Sequence, residues 1–317
     1  MPHVQSATGA IDTATLEFTL MHEHIYVLSE GVIANFPSLW DREARITQAV
    51  AALSEAKAHG VSTIVDLTVL GLGRDAALAR EVSRQSGVNV IVATGLYTYD
   101  ELPHYFVYRD IDHMADLFVR DIESGIQNTD IRAGILKVAT DEKGLTPGVE
   151  KVVRAVARAH RRTGVPISTH THAATERGLD QQRIFTEEGV DLSRVVIGHS
   201  GDTEDIEYLE KLMKAGSYIG MDRFGVDSFM PTDKRVAVIA KLCARGNASK
   251  IVLSHDTSCY IDWYPEERLK QALPRWHFLH ISDEVVPALL AAGVSHVQIR
   301  AMTVDNPRRI FEAQGRY

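Results

Sequence analysis

Cysteine is nearly absent from this chain. Cys243 and Cys259 are two in 317 residues, and neither lies in a Cys-x-x-Cys pattern, so no disulfide framework and no cysteine-based metal site is expected. Cys243 reads as a buried apolar thiol. Also missing is any run near the roughly 20 apolar residues that span a bilayer. The first residues lack the basic start and apolar run of a secretory signal. A cytoplasmic location without a membrane partner is therefore expected. Basic charge is in deficit, with 34 Lys and Arg against 42 Asp and Glu and a net charge of -8. No basic stripe is available to neutralise a phosphate backbone, which excludes nucleic acid as an expected partner and leaves a small molecule. No short repeat, low-complexity tract or Ser/Gly-rich linker divides the chain, so residues 1–317 read as one domain. With 45% hydrophobic and 24% charged residues, it has ample material for a globular core.

What is present is a regular alternation. Short runs rich in Val, Ile and Thr have the length and β-branched content of buried parallel strands. They are "TLMHEHIYV" from Thr19, "STIVDLT" from Ser62, "NVIVATG" from Asn89, "AGILKVA" from Ala133, "VPISTHTH" ending at His172, "VVIGHSG" from Val195, "SYIGMD" from Ser217 and "IVLSHD" from Ile251. Helical spacing separates them. In "VEKVVRAVARAHRRTG", Val149, Val152, Val153, Val156 and Ala157 make one stripe, and Gly164 supplies the stop. Eight strand-helix units predict an α/β fold, a single (β/α)8 TIM barrel, in preference to an open doubly wound sheet. The segment Ser258 to Phe278 reads as an extended loop after the eighth strand, of the kind that shapes sites.

In a strand, alternate side chains share a face. His22 and His24 therefore point into the barrel while Glu23 points out. Active sites of this fold sit at the C-terminal ends of the strands, and few polar residues are found there. Lys137 lies in "ILKVA", His170 and His172 in "STHTH", His199 in "GHSG" and Asp256 in "SHDTS" beside His255. Singly these are weak signals; Asp256 alone could cap a helix. Jointly, imidazoles, a lysine and a carboxylate at five strand ends point to a metal, with zinc, iron, cobalt and manganese all suited to the donors. His172 shares the parity of His170 and reads as a spare ligand or an outer partner. His255 should face the helices.

Lys137 adds a further constraint, because an amine inside an apolar strand loses its hydration and favours the neutral form. Such an amine can form a Schiff base with a carbonyl substrate. It can also take up carbon dioxide as a carbamate whose oxygens bridge two metals. The surrounding histidines favour the carbamate.

These residues carry a family resemblance. "HEH", "LKVA", "THTH", "IGHSGDT" and "SHD" resemble the phosphotriesterase group of the amidohydrolase superfamily over nearly the whole chain. The resemblance implies a distorted barrel in which one divalent metal takes His22, His24 and Asp256, a second takes His170 and His199, and N6-carboxylated Lys137 bridges them. "GLYTY", with Tyr97 and Tyr99, "MDRFG", with Arg223, and Trp263 in "CYIDW" are similar to the phosphotriesterase-like lactonases. That similarity implies opening of lactones, N-acyl homoserine lactones among them, with weaker phosphotriester hydrolysis. Asp256 would shuttle the proton, and Tyr97 and Arg223 would meet charge or fix the pocket. Leu72, Tyr99, Phe229, Cys259 and Trp263 would line the substrate channel. A homodimer is implied as well. Arg223 could alternatively pair with Asp222 or Asp227. A dedicated phosphotriesterase, an amide hydrolase, a noncatalytic metal-binding protein and a Schiff-base lyase are the competing functions.

Overall fold

Two short antiparallel strands, β1 (His3–Ser6) and β2 (Gly9–Asp12), open the chain, a hairpin that the sequence reading did not anticipate. The eight expected strands follow: β3 (Phe18–Val27), β4 (Val61–Asp66), β5 (Asn89–Leu96), β6 (Ile135–Thr140), β7 (Ile167–Thr171), β8 (Val195–Ile197), β9 (Tyr218–Met221) and β10 (Ile251–Leu253). Each pairs in parallel with the next in chain order. This computed structural model describes residues 2–313 and 315–317.

The segment after β10 corrects one expectation. It is not all loop: Ser258–Ile261 forms a further strand, β11, and Glu266–Ala272 a short helix. β11 pairs in parallel with β3, placing Ser258 opposite His24 and Tyr260 opposite Tyr26. Between β10 and β11 the chain crosses Ser254 to Thr257, where Asp256 N donates to His22 O at 3.0 Å and His24 N to Thr257 O at 2.9 Å. The last strand thus breaks, returns to the first and curls the sheet into a distorted (β/α)8 barrel. β3 is itself irregular. Its register against β4 shifts between Leu20 and Glu23, so Met21 packs in the interior cluster while the next residue, His22, lines the cavity.

Alternation sorts the core into two layers. Val65, Ile91, Ala93, Ile135, Val196 and Val252 pack inside the barrel, while Ile64, Val90, Val92, Leu136, Ile197 and Leu253 face the surrounding helices. Val4 from the hairpin and Ile310 and Phe311 from the helix Asn306–Glu312 join the interior cluster. The helix Pro147–Thr163 shows how sequence sets an element. Thr146 caps it by accepting from Val149 N, proline occupies the first turn, and Gly164 ends it at φ 78°. Its stripe from Val149 to Ala157 is buried as expected, each valine contributing about 1.5–3 kcal/mol. Among the described residues, no helix is long and apolar enough to cross a membrane.

Candidate active site

The strand ends deliver a converging set of donors at the floor of a cavity of about 620 Å³. His22 and His24 come from β3, Lys137 from β6, His170 from β7, His199 from just beyond β8, and Asp256 from the break after β10. Asp256 Oδ1 lies 3.3 Å from both His22 Nε2 and His24 Nε2, and its Oδ2 lies 3.7 Å from His199 Nε2. Lys137 Nζ is 2.8 Å from His22 Nε2, and His199 Nε2 is 3.0 Å from His170 Nδ1. The donor atoms of His22, His199 and Asp256 all lie within 4.8 Å of one another. His199 and Asp256 both hold left-handed backbone, at φ 56°, a conformation costing a non-glycine residue about 1–2 kcal/mol.

Outer partners fix each imidazole. Asp222 accepts from His22 Nδ1 at 2.9 Å with Oδ2, and from His199 Nδ1 at 3.0 Å and His199 N at 2.8 Å with Oδ1. Asp141 accepts from His170 Nε2 at 2.5 Å. The Thr68 hydroxyl donates to Asp66 at 2.5 Å and is therefore free to accept from His24 Nδ1 at 2.9 Å. With every outer nitrogen donating, every inner nitrogen presents a lone pair. Burial reinforces this neutral state by pushing His22 and His199 well down and His170 to about 4.

The consequence is electrostatic. His170 and His199 face each other at 3.0 Å with two lone pairs and no proton between them, and the Asp256 carboxylate stands beside them. Burial acts to raise the Asp256 carboxyl, but the Arg223 guanidinium beside it pulls the other way and helps to hold it well below the usual range. Burial brings the Lys137 amine down to about 7, against the pull of Asp256 and Asp222, so near neutrality much of it is the nucleophilic free base. Four lone pairs, an ionised carboxylate and a reactive amine in one buried group fit divalent cations and a carbamate; among themselves they leave acceptor facing acceptor.

The walls divide by chemistry. Leu72, Tyr97, Tyr99, Phe229 and Trp263 line the cavity, with Leu273 and Trp276 from the last loop. The Tyr97 and Tyr99 hydroxyls bond to each other, the Tyr97 ring stands edge-on to His170 at 5.6 Å, and burial raises both phenols, Tyr99 to about 12. Both therefore remain hydrogen-bond donors.

One expectation is corrected, and two alternatives left open by the sequence are decided. Cys259 does not line this cavity. On β11 it is Ser258, paired with His24, that faces it, and alternation turns Cys259 into the layer between sheet and helices. His172 lies beyond the end of β7, where its Nδ1 meets Thr175 Oγ1 at 2.8 Å, away from the donor cluster. Arg223 pairs with neither Asp222 nor Asp227. Its Nε donates to Asp256 at 3.1 Å and its Nη1 to Asp202 at 2.9 Å, while its guanidinium sits 4.6 Å over the Phe229 ring. Asp202 is held in turn by the fully buried Arg235 at 2.6 Å. Asp222, Asp141, Asp66 and Asp202 escaped sequence reasoning as site residues. For Asp222 and Asp66 the signal was there, each being a carboxylate at the end of a strand.

A distorted (β/α)8 barrel with this donor set at the C-terminal ends of its strands has the layout of a barrel enzyme's active site. A model of the phosphotriesterase family matches residues 2–311, and the chain belongs to that family. The phosphotriesterase homology protein of Mycobacterium tuberculosis is 58% identical over 325 residues, covering 100% of both chains. The aryldialkylphosphatase of Saccharolobus solfataricus is 45% identical over 305 residues, covering 95% of this chain and 97% of its own. The solved structure of the phosphotriesterase from Mycobacterium tuberculosis superposes with a TM-score of 0.97 at 57% identity, covering 100% of each chain.

Proposed function

We propose that this family member opens lactone rings, N-acyl homoserine lactones and other γ- and δ-lactones foremost, with weaker hydrolysis of phosphotriesters. The observation that carries the reading is Asp256. It is an ionised carboxylate aimed into the donor cluster and clamped by Arg223, at the floor of a cavity whose walls are largely apolar. An unactivated lactone needs its leaving alkoxide protonated, and a long apolar wall suits an acyl chain.

In this reading His22, His24 and Asp256 would hold one divalent cation, zinc, iron, cobalt or manganese, His170 and His199 would hold a second, and carboxylated Lys137 would serve as a further ligand. When bound, the pair supplies Lewis acidity and water ionised near neutral pH. The chain's own groups do the rest. Asp256 takes the proton of the attacking water and returns it to the leaving oxygen. Tyr97 donates its hydroxyl hydrogen to the carbonyl oxygen as charge collects there, Tyr99 supporting it. Arg223, which cannot give up its own proton, keeps Asp256 ionised and oriented. Leu72, Phe229 and Trp263 receive the acyl chain. The reading also has the protein as a cytoplasmic homodimer; light scattering during gel filtration tests the dimer.

A second reading, a dedicated phosphotriesterase, is favoured by the name of the 45% identical aryldialkylphosphatase. Initial rates of metal-loaded protein on homoserine lactones, simple lactones and a nitrophenyl phosphotriester separate the two. Lactones should lead in kcat/KM by at least about 100-fold, which corresponds to about 2.7 kcal/mol in transition-state binding. Dominance of the phosphotriester selects the second reading.

A further inference from the structure

Glu23, between the two inward histidines of β3, is fully buried on the opposite face of the strand. A carboxylate there is costly unless its oxygens are saturated with donors. Among the described residues no lysine or arginine meets it; its hydrogen bonds come from the short break in the eighth strand. Glu23 Oε1 accepts from Ser254 Oγ at 2.8 Å, His255 N at 2.9 Å and His255 Nδ1 at 2.7 Å, and Oε2 accepts from Thr257 N at 2.9 Å. One carboxylate thus grips the residues on both sides of Asp256, whose left-handed backbone would not hold unaided. Ser254 Oγ also accepts from His22 N at 2.8 Å, which closes the loop onto the metal-facing strand.

His255 extends the grip outward. With Nδ1 donating to Glu23, its Nε2 accepts from Ile281 N at 3.0 Å, and its carbonyl accepts from Trp276 Nε1 at 3.0 Å. Trp276 lines the substrate cavity. We propose that Glu23 and His255 form a positioning pair for Asp256, a buried carboxylate and imidazole behind the sheet that set where the proton carrier stands and tie it to the cavity wall. The inference rests on the reading of Asp256 as that carrier. Neither residue touches substrate. Their effect belongs to proton delivery and should grow as the leaving group becomes more basic.

The test is a double-mutant cycle on metal-loaded protein, run on esters of one acid with alkyl or nitrophenyl leaving groups. Glu23→Gln keeps the shape but turns an amide N–H₂ toward Thr257 N–H. It should lower kcat on the alkyl ester about 10–100-fold, the usual effect of a supporting group, with KM and nitrophenyl ester turnover within about threefold. In an Asp256→Asn background it should have no further effect on the alkyl ester, because coupled residues are non-additive. Equal losses on both esters, or a full loss persisting beside Asp256→Asn, overturn the proposal. Should Glu23→Gln fail to fold, His255→Asn and His255→Leu replace it. Asparagine puts a donor where Nδ1 stood and should keep wild-type leaving-group dependence; leucine should not, and identical behaviour of the two overturns the proposal. If Asp256→Asn alone spares the alkyl ester, the proton-carrier reading itself fails; if only the Glu23 and His255 variants lack its signature, this inference alone fails.

Discussion

Replacing Asp222 by asparagine nearly preserves the shape of the site but removes the carboxylate's charge and the ability of both of its oxygens to accept. Oδ1 serves His199 twice, at 2.8 and 3.0 Å, and Oδ2 serves His22 once, at 2.9 Å. The amide will therefore keep its oxygen toward His199, which satisfies two donors, and turn its N–H₂ toward His22 Nδ1. His22 must then accept at Nδ1, so its remaining proton moves to Nε2, the atom facing Lys137 and Asp256. One lone pair leaves the proposed cation site of His22, His24 and Asp256, and the one proposed for His170 and His199 keeps both of its own. Loss of such an outer partner costs about 10–100-fold in metal affinity, or roughly 1.4–2.7 kcal/mol. Titration against a chelator of known affinity, with metal content measured after dialysis, should show one ion released at a chelator strength that leaves wild-type protein with two. Circular dichroism should be unchanged. Two ions held with wild-type affinity would refute the tautomer argument.

Three further outcomes follow from the same geometry. Gly220→Ala places a Cβ about where Asp222 Oδ2 comes within 2.4 Å, so it should push Asp222 aside and lower metal content without touching any ligand; unchanged content would mean that the carboxylate moves freely. Asp256→Asn should keep part of the metal and lower lactone turnover by about 10²–10⁴-fold, the range of general acid–base catalysis, and turnover within a few-fold of wild type removes the proton-carrying role. For Lys137, burial brings the amine down to about 7, and only its neutral form captures carbon dioxide. That fraction climbs from about one tenth at pH 6 to about nine tenths at pH 8, so reconstitution of metal-free protein at fixed dissolved carbon dioxide should quicken roughly tenfold over that interval. A rate flat in pH, or full metal content in Lys137→Ala, speaks against the carbamate.

How much of this was legible beforehand depends on the range of the interaction. Strand periodicity is local, so the inward histidines of "HEH", the lysine of "ILKVA" and the ends of "STHTH", "GHSG" and "SHD" could be assigned to one face without knowing any neighbour. The residues misplaced or left open depended on something further away. Cys259 follows the break at Ser254 to Thr257, and only the pairing of β11 with β3 decides which way it turns. His172 has the parity of a ligand but lies one residue past the hydrogen-bonded strand, where its backbone joins a 3-10 turn at Ala173–Thr175. Arg223 had acidic neighbours in sequence at Asp222 and Asp227, yet its partners are Asp202, from the turn after β8, and Asp256, from the break after β10.

The amino-acid sequence by itself determined the eight strands, their order and the residues facing inward, because hydrophobic period and strand parity act within a few residues. It also determined that a lysine, four histidines and an aspartate would meet, since parallel strands of one barrel present their C-terminal ends together. The tertiary structure decided which nitrogen of each imidazole faces in, what clamps Asp256 and how the barrel closes. Those outcomes rest on Asp222, Asp141, Asp202 and Glu23, carboxylates whose partners are mostly far off in the chain. A hydrogen bond needs its two groups within about 3 Å in the right direction, and only the closed barrel brings them there.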